Sequence, residues 1–404
     1  MTDASKPMAL DGIVVLDLSR ILAGPTATQL LGDLGAEVIK IENPKTGGDD
    51  TRTWGPVYAK GADGTPTDLS AYFMSANRNK KSVAVDLSTE DGQATTRALA
   101  ARADVVIENY KPGGLSKFGL DHDTLRRAHP GLVYCSISGF GQTGPNRDLP
   151  GYDLMAQGYG GIMSLTGDPD GVPTKVGVGI ADVMCGMYAT IGILAALRHR
   201  DSTGEGQHID LSLVDAQMAW LINEGVSFLT SGQLPERRGN AHPNIVPYDA
   251  FPTSDGHILV AVGNDAQFVR FCDCIDRADL GEDPRYTTNL KRIENRVSLT
   301  HALRETLATM PKAEILQRMN DAKVPGGPIH TVAEALGSDQ AEARGTVLRM
   351  QRDDVAGEEL KLLANPLKLS ATPVQYRHSP PRFGQDTEEV LETLRAEKDG
   401  KARD

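Results

Sequence analysis

The chain has 404 residues, 40% hydrophobic and only 5% aromatic, an ordinary globular composition too long for one small core. Its formal net charge of −12, from 42 Lys and Arg against 54 Asp and Glu, argues against a nucleic-acid-binding surface. The opening residues hold no apolar signal core, and no later run of membrane-spanning length is free of polar residues, so a cytoplasmic protein without membrane contact is expected.

The first 140 residues alternate strand and helix. An apolar run at 12–18 is followed by a loop, Ser19 to Pro25, and a helical stretch at 28–34. A second strand follows at 37–42, with further strands at 82–86, 104–108 and 132–137 and helical patterns at 90–102 and 121–129. Strands alternating with helices imply a parallel sheet covered on both faces, which binds ligands beyond the C-terminal ends of its strands. The loops Arg20–Pro25, Asn43–Arg52, Asn77–Lys81, Asn109–Gly113 and Ser138–Pro145 are therefore expected to converge on one site. Their Asn, Lys, Arg and Gly content suits phosphate and adenine groups. Neither G-x-G-x-x-G after the first strand nor G-x-x-x-x-G-K-[ST] is present, which disfavours a standard nicotinamide dinucleotide site and a P-loop.

Gly179-Ile180-Ala181-Asp182 runs directly into the apolar stretch 183–197, placing a carboxylate where a buried helix begins. Such an Asp serves as an N-cap, accepting hydrogen bonds from the first turn. The alternative is a carboxylate nucleophile at the positive end of a helix dipole. A Gly-rich turn, a strand and a helix start follow at 203–216. Gly, Asn and Pro become frequent over 225–247, where a domain boundary is expected. An α+β module follows, with a strand at 256–262 and helices near 265–275, 296–308 and 312–322. A strand at 360–363 and a helix at 387–397 belong to a tail expected to pack back on the first domain. The expected domains are thus 1–224, 225–330 and the return segment 331–404. Cys135, Cys185, Cys272 and Cys274 form no C-x-x-C pair and no His cluster stands beside them, so buried thiols are expected rather than a metal site or disulfides.

Six segments in order, VLDLSRILAGPTATQLLGDLGAEVIKIE, NRNKKSVAVDL, IENYKPGGLSKFGL, SISGFGQTGP, GIADVMCGM and TGEGQHIDLSLVDA, resemble the class III CoA-transferases, the formyl-CoA and carnitine CoA-transferase family. The resemblance implies an α/β fold: a Rossmann-like large domain with a parallel sheet, a smaller inserted α+β domain, and an interlocked homodimer. It implies that Asp182 is the catalytic aspartate and that CoA and acyl-CoA are substrates, with no permanently bound cofactor. It assigns Arg20, Ile21, Leu22, Ala23, Asn79, Lys80, Asn109, Tyr110 and Lys117 to the CoA site, with Lys80 and Lys117 meeting phosphates. The later segments GNAHPNIVPYDAFPTSDGHILVAVGNDAQF and VPGGPIHTVAEAL look closest to the branch using succinyl-CoA and dicarboxylic acids. A dicarboxylate needs cations or donors for its distal carboxylate, and Arg52, Arg237, Arg238, Asn240 and His242 are the candidates. An α-methylacyl-CoA racemase of the same fold would need a His–Asp base where this chain has Tyr152-Asp153, and Tyr is a poor base at neutral pH. A non-catalytic acyl-CoA-binding protein is the remaining alternative.

Overall fold

The computed structural model describes residues 7–398. The chain divides into two compact units. The first comprises the described residues up to Met163, Lys175–Gln233 and the described residues from Gln340 onward; the second comprises Ser164–Thr174 and Leu234–Asp339.

The first unit is built on six strands, β1 (Val14–Asp17), β2 (Glu37–Glu42), β3 (Lys81–Ala84), β4 (Val105–Glu108), β5 (Val133–Ser138) and β6 (His208–Ser212). They form one parallel sheet in the order β3-β2-β1-β4-β5-β6. Its helices include α1 (Ala23–Asp33), α2 (Glu90–Ala100), α3 (His122–Ala128), α4 (Asp153–Tyr159) and α5 (Ile180–Thr203). Alternation along each strand sends side chains to two cores. Val15, Val38, Val105, Ile107, Val133 and Cys135 pack with Ala27 and Leu31 of α1 and Ala189 and Ile193 of α5. Leu16, Ile39, Val83, Val106 and Tyr134 pack on the opposite face with Leu99 and Leu125. This two-sided burial makes the strands read as nearly continuous apolar runs. By length and apolarity α5 could cross a bilayer, but its Ala181, Cys185, Ala189, Ile193, Ala196 and Leu197 are buried in the first of these cores.

The C-terminal segment closes the sheet's β3 edge. Ser82 and Ala84 donate their backbone N–H groups to Asp386 Oδ2 and Thr387 Oγ1, at the start of the helix Thr387–Lys398. An edge strand's unpaired donors are thereby satisfied by side chains.

The second unit holds a three-stranded antiparallel sheet of Tyr248–Thr253, Gly256–Ala261 and Gly326–Pro328. Its core joins Phe251, Ile258 and Val260 with Phe268, Leu299, Leu303, Ile315 and Met319 from its helices. The buried Arg292 holds the unit together, donating to the carbonyls of Val246 and Tyr286. All four cysteines are unpaired and buried.

Candidate active site

Asp182 does not cap its helix. The helix begins two residues before it, with Gly179 as N-cap and no side-chain cap from that residue. Asp153 of α4 supplies the acceptor instead: its Oδ1 takes the Ala181 N–H at 2.9 Å and its Oδ2 takes Gln157 Nε2 at 2.7 Å. The capping expectation therefore fails, because another carboxylate already occupies that role. Asp182 is only 9% exposed, and among the described residues no hydrogen bond is found to its carboxyl. Burial, and then the nearby charge of Asp153, push its pKa up to about 7. A carboxylate with no hydrogen-bonding partner in a desolvated position is poorly shielded and reactive once ionised.

Opposite the head of α5 lies the turn that leads from β1 into α1. A Cβ on Gly179 would lie 3.1 Å from Leu22 Cδ2, and one on Gly186 would lie 2.6 Å from the Ala23 carbonyl. Glycine at 186 is thus required for α1 and α5 to approach so closely. Ile21 has φ of +74°, a left-handed conformation that costs a β-branched residue about 1–3 kcal/mol. Tyr72, in the helix Ala71–Ser75, stands by the same group of acids; burial first, then the charges of Asp182, Asp153 and Asp49, push its pKa up to about 12. Trp54 packs edge-on against its ring at 5.0 Å.

Beneath this turn lies a lattice of buried charge on the face of β1 and β2 that α1 covers. Lys40 donates to Asp49 Oδ2 at 2.9 Å and to the Ser19 carbonyl at 2.7 Å. Asp17 accepts from Thr28 Oγ1 and from Lys80. Burial alone would raise the pKa of Asp17, but Lys80 and Lys40 hold it below the usual carboxylate value. Burial would likewise lower Lys40, but Asp49, Asp17 and Glu42 keep it above its ordinary value. Lys80 is the exception, since desolvation prevails over Asp17 and brings it down to about 7.

The residues assigned to the CoA site divide into two groups. Arg20, Ile21, Leu22, Ala23 and Asn109 are brought together at the C-terminal end of the sheet. The Arg20 N–H donates to Asn109 Oδ1 at 3.0 Å, and Asn109 Nδ2 donates back to the Arg20 carbonyl at 2.7 Å. The Arg20 side chain is solvent-facing in an ion pair with Asp50. Tyr110 follows directly, its N–H donating to Glu108 Oε2, and Lys117 is exposed with its ammonium over the Phe118 ring.

Asn79 and Lys80 belong elsewhere. The segment 77–81 leads into β3 and so meets the parallel sheet at its N-terminal side, which corrects the expected convergence of five loops. Asn79 donates to Asp33 and to the Gln375 carbonyl, and accepts from the backbone of Arg377 and His378. Lys80 is wholly buried and is held by Asp17, the Pro25 carbonyl and Asn77. The phosphate contact expected for Lys80 is therefore not available to it. Arg52 is corrected for the same reason: it is buried in ion pairs with Glu42 and Asp68 and has no face left for an acceptor carboxylate. Arg237, Arg238, Asn240 and His242 all lie in the second unit, where Arg237 donates to the carbonyls of Asp168 and Gly171. Among the described residues no group of three or more His, Cys, Asp and Glu could hold a metal ion.

Sequence reasoning passed over Asp153 as a partner of Asp182, together with Tyr72 and the Lys40–Asp49 pair. One signal was available: Lys40 and Glu42 interrupt an apolar strand that must be buried on both faces.

The profile of the family described as CoA-transferase family III matches residues 10–387. The succinate–glutarate CoA-transferase of Agrobacterium fabrum is 45% identical over 395 residues, 98% of each chain. The succinyl-CoA:glutarate CoA-transferase of Homo sapiens is 39% identical over 97% of this chain and 87% of its own. Among solved structures, a CAIB/BAIF family protein from Brucella suis superposes with a TM-score of 0.85 at 43% identity, covering 96% of this chain and 99% of that one.

Proposed function

The chain belongs to CoA-transferase family III and is a CoA-transferase, and on that premise we propose that it moves CoA from succinyl-CoA to a second dicarboxylic acid through covalent intermediates on Asp182. The observation that carries the mechanism is the Asp182 carboxyl itself: buried, without a hydrogen-bonding partner among the described residues, beside Asp153, and opposite the turn at Leu22. A relative at 45% identity whose name pairs succinate with glutarate, and one at 39% whose name pairs succinyl-CoA with glutarate, support the substrate pair.

In the proposed sequence ionised Asp182 attacks the donor thioester carbonyl, the C–S bond breaks, and a mixed anhydride and CoA thiolate form. The thiolate then attacks the Asp182 carbonyl, releasing succinate and leaving an aspartyl-CoA thioester. The acceptor carboxylate attacks that thioester, regenerating thiolate and a new anhydride. Attack of the thiolate on the acceptor's acyl carbon gives the product ester and frees Asp182. No net proton is consumed, and the thioester energy is kept from water at each step. Asp182 needs to be ionised to begin, so its raised pKa ties activity to pH.

Arg20, Ile21, Leu22, Ala23, Asn109, Tyr110 and Lys117 are proposed to line the CoA path, with Arg20 and Lys117 offering exposed cations to its phosphates. A cytoplasmic homodimer is also proposed. Exposed apolar side chains on α5 (Met187, Tyr188 and Ile191) and on the helix Ile222–Ser231 (Ile222, Val226, Phe228 and Leu229) support an interface with a second copy.

The test is intact-protein mass spectrometry after incubation with succinyl-CoA and hydroxylamine. Hydroxylamine converts an activated aspartyl carbonyl to a hydroxamate, adding about 15 Da. A gain mapping to Asp182 and absent from Asp182→Ala supports the covalent route; a native chain that transfers CoA but never gains the mass refutes it.

A further inference from the structure

Each residue of the turn from Ser19 to Ile21 is held from beneath or beside by a side chain from another segment or from the end of β1. The Ser19 carbonyl accepts Lys40 Nζ, and the Ser19 N–H is taken by Asp17. Arg20 is bound through both its N–H and its carbonyl by Asn109. The Ile21 N–H points between the two Asp49 oxygens, at 3.2 and 3.3 Å. Asp49 is in turn fixed, its N–H given to Glu42 Oε1 at 2.8 Å and its carboxylate accepting the Thr51 N–H and hydroxyl. Lys40 and Asp49 are each at most 4% exposed.

Two features of this arrangement are costly, which argues that it is not incidental packing. A buried ion pair contributes little stability over apolar residues of the same volume, because desolvation offsets the attraction. A β-branched residue at φ of +74° persists only where its surroundings overdetermine it. Both costs meet at one point, since the ion pair binds the strained turn on either side of Arg20. The next residue, Leu22, reaches the head of α5 three residues before Asp182.

We propose that Lys40 and Asp49 are positioning residues for CoA transfer, a buried ion pair that clamps Ser19 and Ile21 so that the strained turn is fixed opposite the Asp182 carboxyl. The inference rests on Asp182 being the nucleophile. The clamp touches no substrate; it acts through the backbone of the turn, whose displacement moves the donors and walls that the reacting carbonyl meets. It explains charged residues on a strand that the fold otherwise requires to be apolar.

The test uses the full chain and a charge-free pair, Lys40→Met with Asp49→Leu, chosen because an apolar pair of similar volume restores core packing without an unpaired charge. Urea denaturation checks that this variant is folded. Its kcat is expected to fall roughly 10- to 100-fold, the scale for a small misplacement of reacting groups, with hydroxylamine labelling of Asp182 slowed in parallel. A purely structural role would change stability and leave kcat per folded molecule in place. A double-mutant cycle with Ile21→Gly gives the second readout, since glycine adopts positive φ without strain and needs no clamp. The loss caused by the charge-free pair is expected to shrink at least about fivefold in the Ile21→Gly background. If the charge-free variant unfolds, Asp49→Asn is measured in its place. Native-like kcat in a folded variant, or additive losses in the cycle, overturns the clamp while leaving the nucleophile assignment intact. A native chain that transfers CoA without labelling Asp182 removes both.

Discussion

Replacing Asp182 by Asn keeps the side chain's shape and removes its charge, and the variant is expected to gain stability at alkaline pH while its CoA transfer falls to background. The reasoning is a proton linkage. The carboxyl has a pKa near 3.8 when exposed and about 7 when folded, raised by burial first and by Asp153 second. Below pH 3.8 the folded and unfolded chains both hold the proton and no cost arises. Between 3.8 and about 7 only the folded chain keeps it, so native stability falls as pH rises, and above 7 the full cost is present. At 1.36 kcal/mol per pH unit this interval sets an upper bound of about 4 kcal/mol. Relaxation and water entry around the charge make about 2 kcal/mol the expected gain for Asp182→Asn at pH 8.5. Urea unfolding of both proteins from pH 4 to 8.5 measures it. The two stability curves should meet near pH 4 and diverge upward, with the variant the more stable. Parallel curves, or a variant destabilised at pH 8.5, would show that Asp182 is not a desolvated, uncompensated carboxyl.

Asp153→Asn removes the second cause of the raised Asp182 pKa but retains an acceptor for the Ala181 N–H; the rising limb of kcat/KM against pH should move to lower pH, and an unmoved limb counts against the coupling. Gly186→Ala places a methyl 2.6 Å from the Ala23 carbonyl and 2.9 Å from Thr26 Cβ, so α1 and α5 must part at a cost of about 1–3 kcal/mol; a urea midpoint equal to the native one would refute the close approach. Lys117→Ala should raise the KM for acyl-CoA about 3- to 10-fold without loss of stability, as expected for a lost charge-assisted contact. Lys80→Met, by contrast, removes the one ammonium bonded to Asp17 in the core, leaving it Ser19, Thr28 and the charge of Lys40, and should cost roughly 3 kcal/mol with the KM for acyl-CoA changed by less than about twofold. A tenfold rise in that KM would restore Lys80 as a phosphate ligand.

Much of the molecule was legible in the chain because it follows from local pattern. Apolar runs of strand length alternating with amphipathic helices determine a covered parallel sheet, and that architecture directs the search for a site to the C-terminal strand ends. The apolar segment after Gly179 likewise determines a core helix with Asp182 in its first turn. Tertiary structure alone decided what each charged side chain does. Lys80 and Arg52 look like ligand cations in sequence, yet partners distant in the chain, Asp17 at 63 residues for Lys80 and Pro381 at 329 for Arg52, place them in the interior. Asn79 lies before its strand rather than after it, and only the parallel register turns that order into the opposite side of the sheet. Asp182 looks like a cap until Asp153, 29 positions earlier, is seen to take the Ala181 N–H. Periodicity reports which face is buried, but the pairing of buried charges depends on contacts between distant segments that no local pattern encodes, and here those contacts leave Asp182 without a hydrogen-bonding partner among the described residues while Lys40 and Asp49 bond to Ser19 and Ile21.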